Sequence, residues 1–349
     1  MYGAADKWLS WLPGGLMNSN IGASALFSAT SGSSVATAAT ISTIALPEQE
    51  RKGYPAPLFL GSIAAGGTLG ILIPPSINMI LFALIANLSV PKLYLAATIP
   101  GLLLCVMFVA MIVITCMIWP KLGGTRQHAT WAERLASIPD LLPPMAIFVL
   151  VVGAIYSGFA TASESAALGV LAAFGLGLLR RTFTWQNLGQ AFESTMRTSG
   201  MIIFITLSAF FLNFVLSAIG LTPALVSFIT GLELSPMATL LAIILFYIIL
   251  GCFMDTLAML ITTAPLVVPV IVALGFDPLW FGVILIILCE LGQITPPFGM
   301  NLFVVQSIRN KGNFMEVIMG VLPFCFVLLL LIALLILFPA LALWLPQFA

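Results

Sequence analysis

Two apolar runs of this chain, residues 55–88 and 278–309, are each cut near mid-length by a proline pair, Pro74-Pro75 and Pro296-Pro297. Each run is long enough to cross a bilayer, which takes ~20 mostly apolar residues. Proline inside a helix removes an i→i−4 hydrogen bond and frees a carbonyl. Backbone that leaves the helix at membrane depth is tolerated only where protein or a watery cavity satisfies its N–H and C=O groups. A chain with two such cuts must build a polar interior around them.

Composition makes lipid the main solvent. Apolar residues are 61% of the 349 and charged residues 7%, against about 25% charged in a soluble domain. Twelve Lys+Arg balance twelve Asp+Glu, which excludes a basic nucleic-acid surface. The expected fold class is an all-α polytopic membrane protein. Cys105, Cys116, Cys252, Cys289 and Cys325 lie in apolar runs without a CxxC pair, and His128 is the only histidine. Zinc, haem and iron–sulfur sites therefore lack ligands. The opening stretch MYGAADKWLSWLPGGL is too broken by Pro13, Gly14 and Gly15 for the apolar core of a signal peptide.

Residues 94–119, 198–219 and 315–344 read as plain spans, and 143–160 with 162–179 as two helices joined at GFATASE. Residues 17–46 are split by SATSGSSVATAATIST, where nine of sixteen residues are Ser or Thr, and 236–274 is interrupted near Gly251–Asp255. Both read as re-entrant hairpins, each followed by a broken helix. Adding 222 to a position in the first block finds its counterpart in the second. Pro47 meets Pro269, Gly53 meets Gly275, Phe59 meets Phe281, Leu69-Gly70 meet Leu291-Gly292, and the proline pairs coincide. Chance matches between apolar segments would favour Leu, Ile and Ala, yet five of these seven identities are Gly or Pro. This is an internal repeat. The expected organisation is a lead-in over 1–16, a first repeat over 17–88 and scaffold and connecting helices over 89–235. A second repeat over 236–309 and a last scaffold helix over 310–349 complete it.

Basic residues set the orientation. With the first hairpin entering and leaving by the cytoplasmic side, Lys7, Arg51, Lys52, Lys121, Arg126, Arg134, Arg180, Arg181, Arg197, Arg309 and Lys311 fall inside, and only Lys92 falls outside. That is the bias of the positive-inside rule. Five crossings then separate the hairpins, so the repeats are inverted. Inverted repeats with broken helices mark secondary transporters, whose substrate and ion sites lie at the midplane. The segments 121–140 and 180–197, with Trp131, Trp185 and Phe192 beside charges, read as interfacial anchors.

Four breaks are expected, at Ser31–Ser34, Pro74–Asn78, Gly251–Asp255 and Thr295–Asn301. Freed carbonyls and hydroxyls suit a hard cation, and half-helix N-termini suit an anion. The competing reading is that these small residues only let helices pack closely. Glu164, Asp255 and Glu290 are expected to be buried at membrane depth, where a carboxylate costs about 2.5–3.5 kcal/mol or more. Asp255 aligns with Ser33 and is the first candidate for an ion ligand. Glu164 follows TAS, where capping gives a structural reason as good as a functional one. Glu290 aligns with Thr68 and could serve a site or a buried hydrogen bond.

Four separated motifs together resemble the large membrane subunit of tripartite ATP-independent periplasmic (TRAP) transporters. They are NIGASALFSATSGSSVATAATI with RKGYPAPLFLGSIAAGGTLGILIPPSINMI, FATASESAALG, GCFMDTLAMLITTAPLVVPVIVALGFDPLWFGV, and GQITPPFGMNLFVV. The resemblance implies an elevator transporter of the bacterial inner membrane that imports an organic acid (a dicarboxylate, sialic acid or keto acid) with sodium. It implies two partners, a periplasmic binding protein and a small four-helix membrane subunit. It needs no cofactor beyond sodium as coupling ion. By this likeness one ion site comprises Ser31, Gly32, Ser33 and Ser34 with Gly70 and Pro74. The other comprises Asp255 with Gly292, Thr295 and Pro296. Substrate would lie near Ser76, Asn78, Thr295 and Asn301, with Glu164, Glu290, Pro75 and Pro297 in structural or coupling roles. Three departures stand out: Thr37 replaces a frequent acidic residue, Ala162 replaces the proline of TPTE, and family members carry apolar segments before the stretch resembling NIGAS. A shortened or divergent scaffold is therefore expected. The alternative reading is an ion-coupled anion carrier that works without a binding protein. An intramembrane enzyme is disfavoured, since the chain has neither HExxH nor GxGD, and a passive channel suits hairpins dipping from opposite faces less well.

Overall fold

The computed structural model describes residues 1–124, 129–181, 183–231 and 233–348; Arg126 and His128 lie outside them. Among the described residues every regular element is helical. A short α1 (Tyr2–Leu9) precedes the hairpin of α2 (Gly15–Ser31) and α3 (Ser34–Lys52), then the broken pair α4 (Ala56–Leu72) and α5 (Ile77–Ile85). Next come α6 (Val90–Ile118), α7 (Trp131–Ala136), α8 (Leu142–Tyr156), α9 (Ala162–Leu179), α10 (Trp185–Ala218) and α11 (Leu221–Gly231). A second hairpin of α12 (Pro236–Gly251) and α13 (Thr256–Ala273) and a second broken pair, α14 (Pro278–Ile294) and α15 (Met300–Arg309), lead to α16 (Phe314–Leu337) and α17 (Ala340–Leu343). Among the described residues, five helices are long and apolar enough to cross a membrane, or up to seven if each bent pair is one span.

All four expected breaks exist, each narrower than the sequence suggests. The chain leaves the helix at Gly32-Ser33, Ile73–Ser76, Cys252–Asp255 and Thr295–Gly299, so Asn78 and Asn301 sit inside the following half-helices. The α4–α5 pair bends by 43° at its break. Both Pro-Pro peptide bonds are cis. Gly32 adopts φ 60°, a left-handed turn that a side chain would strain.

Three expectations about the remaining helices change. Residues 185–197, expected to form an interfacial segment apart from a span over 198–219, are continuous with it in α10. No proline interrupts them, and Thr184 caps the start by accepting from Asn187 N–H. Residues 221–231, not assigned from sequence, form α11 after a left-handed turn at Gly220. The span over 315–344 stops at Leu337, two residues before Pro339; proline disfavours the α conformation in its predecessor.

The core is built on α4, which is buried without interruption from Leu58 to Leu72. It packs against α2, α3 and α16. Gly61 and Gly320 are where α4 meets α16: a Cβ on either would collide with the other helix's backbone. Close backbone approach through small residues is how helices gain packing energy in lipid, where no hydrophobic drive separates helix from solvent. The lead-in joins this core through α1. Tyr2 Oη donates to Asn20 Oδ1 at 2.6 Å, and Lys52 Nζ lies 3.0 Å from Asp6 Oδ2. By contrast, α9 and α10 bury little of their apolar surface.

A cavity at four half-helix N-termini

The residues that start the second halves of the hairpins and broken helices meet. Ser34 opens α3, Ile77 opens α5, Thr256 opens α13 and Met300 opens α15. All four line one cavity of about 430 Å³. Each helix start carries roughly half a positive charge from its aligned peptide dipoles, so four such ends turn an apolar interior toward anions.

Each tip is held by the same devices in both repeats. Ser33 caps α3, its Oγ accepting from Ala36 N–H at 3.3 Å, and Asp255, its counterpart 222 residues on, caps α13 by accepting from Leu257 N–H at 3.1 Å. Ser76 caps α5 in the same way, and its backbone N–H donates to Tyr94 Oη at 3.3 Å. A Cβ on Gly70 would stand 2.5 Å from Ser33 O, and one on Gly292 would stand 2.8 Å from Gly251 O. The aligned glycines therefore let each broken helix touch its hairpin tip. Gly32 faces the Pro75 carbonyl equally closely. Thr37 is buried and serves the first tip, since its Oγ1 donates to Ser33 O at 2.8 Å and lies 3.0 Å from Ser31 Oγ.

The structure thus brings together Ser31, Gly32, Ser33, Ser34 and Gly70 at one tip, and Asp255 with Gly292 near the other. Pro74 turns toward a separate apolar cavity formed with Thr98 and Tyr156. Of the expected substrate residues, Asn78 lines the central cavity, whereas Ser76, Thr295 and Asn301 do not. Thr295 Oγ1 donates back to Leu291 O at 2.6 Å. Pro296 and Pro297 follow it in the turn between α14 and α15. Asn301 is fully buried, with Nδ2 donating to Ser34 Oγ at 2.8 Å and to Ala64 O at 3.1 Å.

Burial corrects two of the three acidic residues. Only Glu290 is buried, at 0% exposure. Asp255 is exposed on the cavity, because a cap folds its carboxylate back on its own helix start. Glu164 is also exposed, in a capping box with Thr161 in which Thr161 N–H donates to Glu164 Oε2 at 2.8 Å. Capping therefore accounts for Glu164.

Sequence reasoning missed Gln293, Thr256 and Thr198, which also line the cavity, and Tyr94, which pins the first break. Gln293, four residues ahead of Pro297 in a helix whose other strongly polar side chain is Glu290, was the visible signal. The described residues contain no cluster of three His, Cys, Asp or Glu able to hold a metal. What the site offers is oxygen ligands and helix dipoles.

Residues 1–341 match the family described as "Tripartite ATP-independent periplasmic transporter, DctM component". The chain is 34% identical over 344 residues to the C4-dicarboxylate TRAP transporter large permease protein DctM of Pseudomonas aeruginosa, covering 98% of this chain and 80% of the relative. It is 31% identical over 349 residues to the sialic acid TRAP transporter large permease protein SiaM of Vibrio cholerae, covering 99% and 81%. It is 31% identical over 345 residues to the ectoine TRAP transporter large permease protein TeaC of Halomonas elongata, covering 98% and 80%.

Proposed function

Because the chain belongs to the DctM family of tripartite ATP-independent periplasmic transporters, we propose that it is the large membrane subunit of a sodium-coupled importer of an organic acid in the bacterial inner membrane. The observation that carries this reading is the convergence of four half-helix N-termini on one cavity. An acid's carboxylate is held there by dipole ends rather than by a basic side chain, the arrangement known for anionic groups in broken-helix carriers. The two tips supply oxygen ligands for sodium: Ser31, Gly32, Ser33 and Ser34 beside Gly70, and Asp255 beside Gly292. Sodium neutralises Asp255 and strengthens the local field, so acid and cation favour each other's binding.

The two hairpins and broken helices form an inverted pair that moves as one body, an elevator, against a scaffold of the remaining helices. The matched caps at Ser33 and Asp255 and the matched glycine contacts at Gly70 and Gly292 support that symmetry. A periplasmic binding protein delivers the acid, and a small membrane subunit accompanies the scaffold. A relative named isethionate TRAP transporter permease protein DctMQ supports the small partner. The test is uptake of labelled acids into proteoliposomes holding the chain and both partners, with the sodium gradient imposed, reversed or absent. Uptake should follow the inward sodium gradient and require the binding protein; uptake indifferent to sodium would refute the coupling.

A further inference from the structure

Asn78 and Gln293 come from different repeats, are 3% and 4% exposed, and line the same cavity. Each holds a buried polar atom without a partner: the donor Nδ2 of Asn78 and the acceptor Oε1 of Gln293. Leaving such an atom unpaired in the interior is unfavourable. The Gln293 side chain is fixed beside the second tip, where Nε2 donates to Thr256 Oγ1 at 3.2 Å, next to Asp255. Asn78 is the second residue of α5, where its donor adds to the positive helix end.

The cavity is therefore polarised. On the α5 side stand the unpartnered donor of Asn78 and a helix start. On the α13–α14 side Gln293 adds an unpartnered acceptor, Oε1, and the described lining contains no Lys, Arg or His. A substrate carboxylate satisfies the first side. On the second, Gln293 Oε1 is paired only by a hydroxyl or N–H, which a carboxylate oxygen cannot supply. We propose that Asn78 and Gln293 determine specificity, selecting an acid that carries a hydroxyl or N–H donor over a plain dicarboxylate. This rests on the reading of the cavity as the substrate site.

The probes are matched pairs, lactate against propionate and malate against succinate, titrated onto the full purified chain in detergent with and without sodium and read by thermal stabilisation. Lactate should half-saturate at about tenfold lower concentration than propionate, the worth of one well-made hydrogen bond. Gln293→Leu, with Gln293→Met as a second variant should the first fail to fold, should close that gap by weakening lactate alone. Asn78→Ala should weaken both alike, because it meets the carboxylate they share. Sodium-induced stabilisation retained in the variants shows that the fold survives. Succinate binding as tightly as lactate, or an unchanged lactate–propionate gap in both Gln293 variants, overturns the inference while leaving organic-acid transport standing. If none of the four acids binds at any sodium concentration, the substrate-site reading fails and this inference with it.

Discussion

Ser34 Oγ and Glu290 Oε2 lie 3.3 Å apart across 256 residues of chain, joining the tip of the first hairpin to the broken helix of the second repeat. The polarity of that bond is fixed by its neighbour. Asn301 Nδ2 donates to both Ala64 O and Ser34 Oγ, so the serine accepts from the amide and donates to the carboxyl. Removing the hydroxyl leaves Glu290 Oε2 without its donor and Asn301 Nδ2 with Ala64 O alone, and each buried bond lost costs about 1–3 kcal/mol. Ser34→Ala should therefore lower the thermal unfolding midpoint in detergent, and Ser34→Ala with Asn301→Ala should destabilise by less than the sum of the single changes, with a coupling of about 0.5–3 kcal/mol. Strict additivity would show that the two side chains do not share this bond.

Gly70 and Gly292 make a paired prediction. In each case a methyl group meets the backbone of a hairpin tip, which cannot move aside as a flexible side chain would. Overpacking of this kind costs typically about 1–3 kcal/mol. Gly70→Ala and Gly292→Ala should each reduce sodium-dependent uptake more than they reduce the amount of folded protein. Gly175→Ala in α9 is the control, since nothing lies within 4 Å of its added Cβ, and it should leave uptake unchanged. Wild-type uptake in both tip variants would mean that close seating of the tips is dispensable.

The breaks were legible because proline pairs and glycine clusters are hard to place inside a helix at membrane depth, so their positions follow from backbone chemistry alone. Side-chain roles depend on helical phase, which apolar sequence on every face conceals. Asn78 and Asn301 follow their proline pairs at similar distances, yet Asn78 faces the cavity while Asn301 turns into the core. Gln293 was overlooked for the same reason. Expecting Asp255 and Glu164 to be buried ignored that a capping carboxylate folds onto its own helix start and leaves one face open. The short α11 carried no comparable signal.

The contact between α4 and α16 gives a prediction about stability alone. Gly61 and Gly320 place backbone against backbone, remote from the cavity lining. Gly61→Ala should force the helices apart and lose packing over their whole contact, lowering the unfolding midpoint by an amount equivalent to about 1–3 kcal/mol. Uptake per folded molecule should change less than in Gly70→Ala. A midpoint unchanged by Gly61→Ala would contradict the close approach.

Asp255 can be tested in a way that separates its two duties. As a cap it accepts from Leu257 N–H, a role asparagine fills nearly as well, whereas alanine at a cap costs about 0.5–2 kcal/mol. As a sodium ligand it contributes a charge that asparagine lacks. Asp255→Asn should therefore unfold near the wild-type temperature while needing at least about tenfold more sodium for half-maximal uptake, a loss of about 1.4 kcal/mol. Asp255→Ala should lose both stability and sodium affinity. The decisive measurement is the sodium dependence of uptake by the asparagine variant: an unshifted curve with normal stability would reduce Asp255 to a helix cap and move the second sodium site elsewhere.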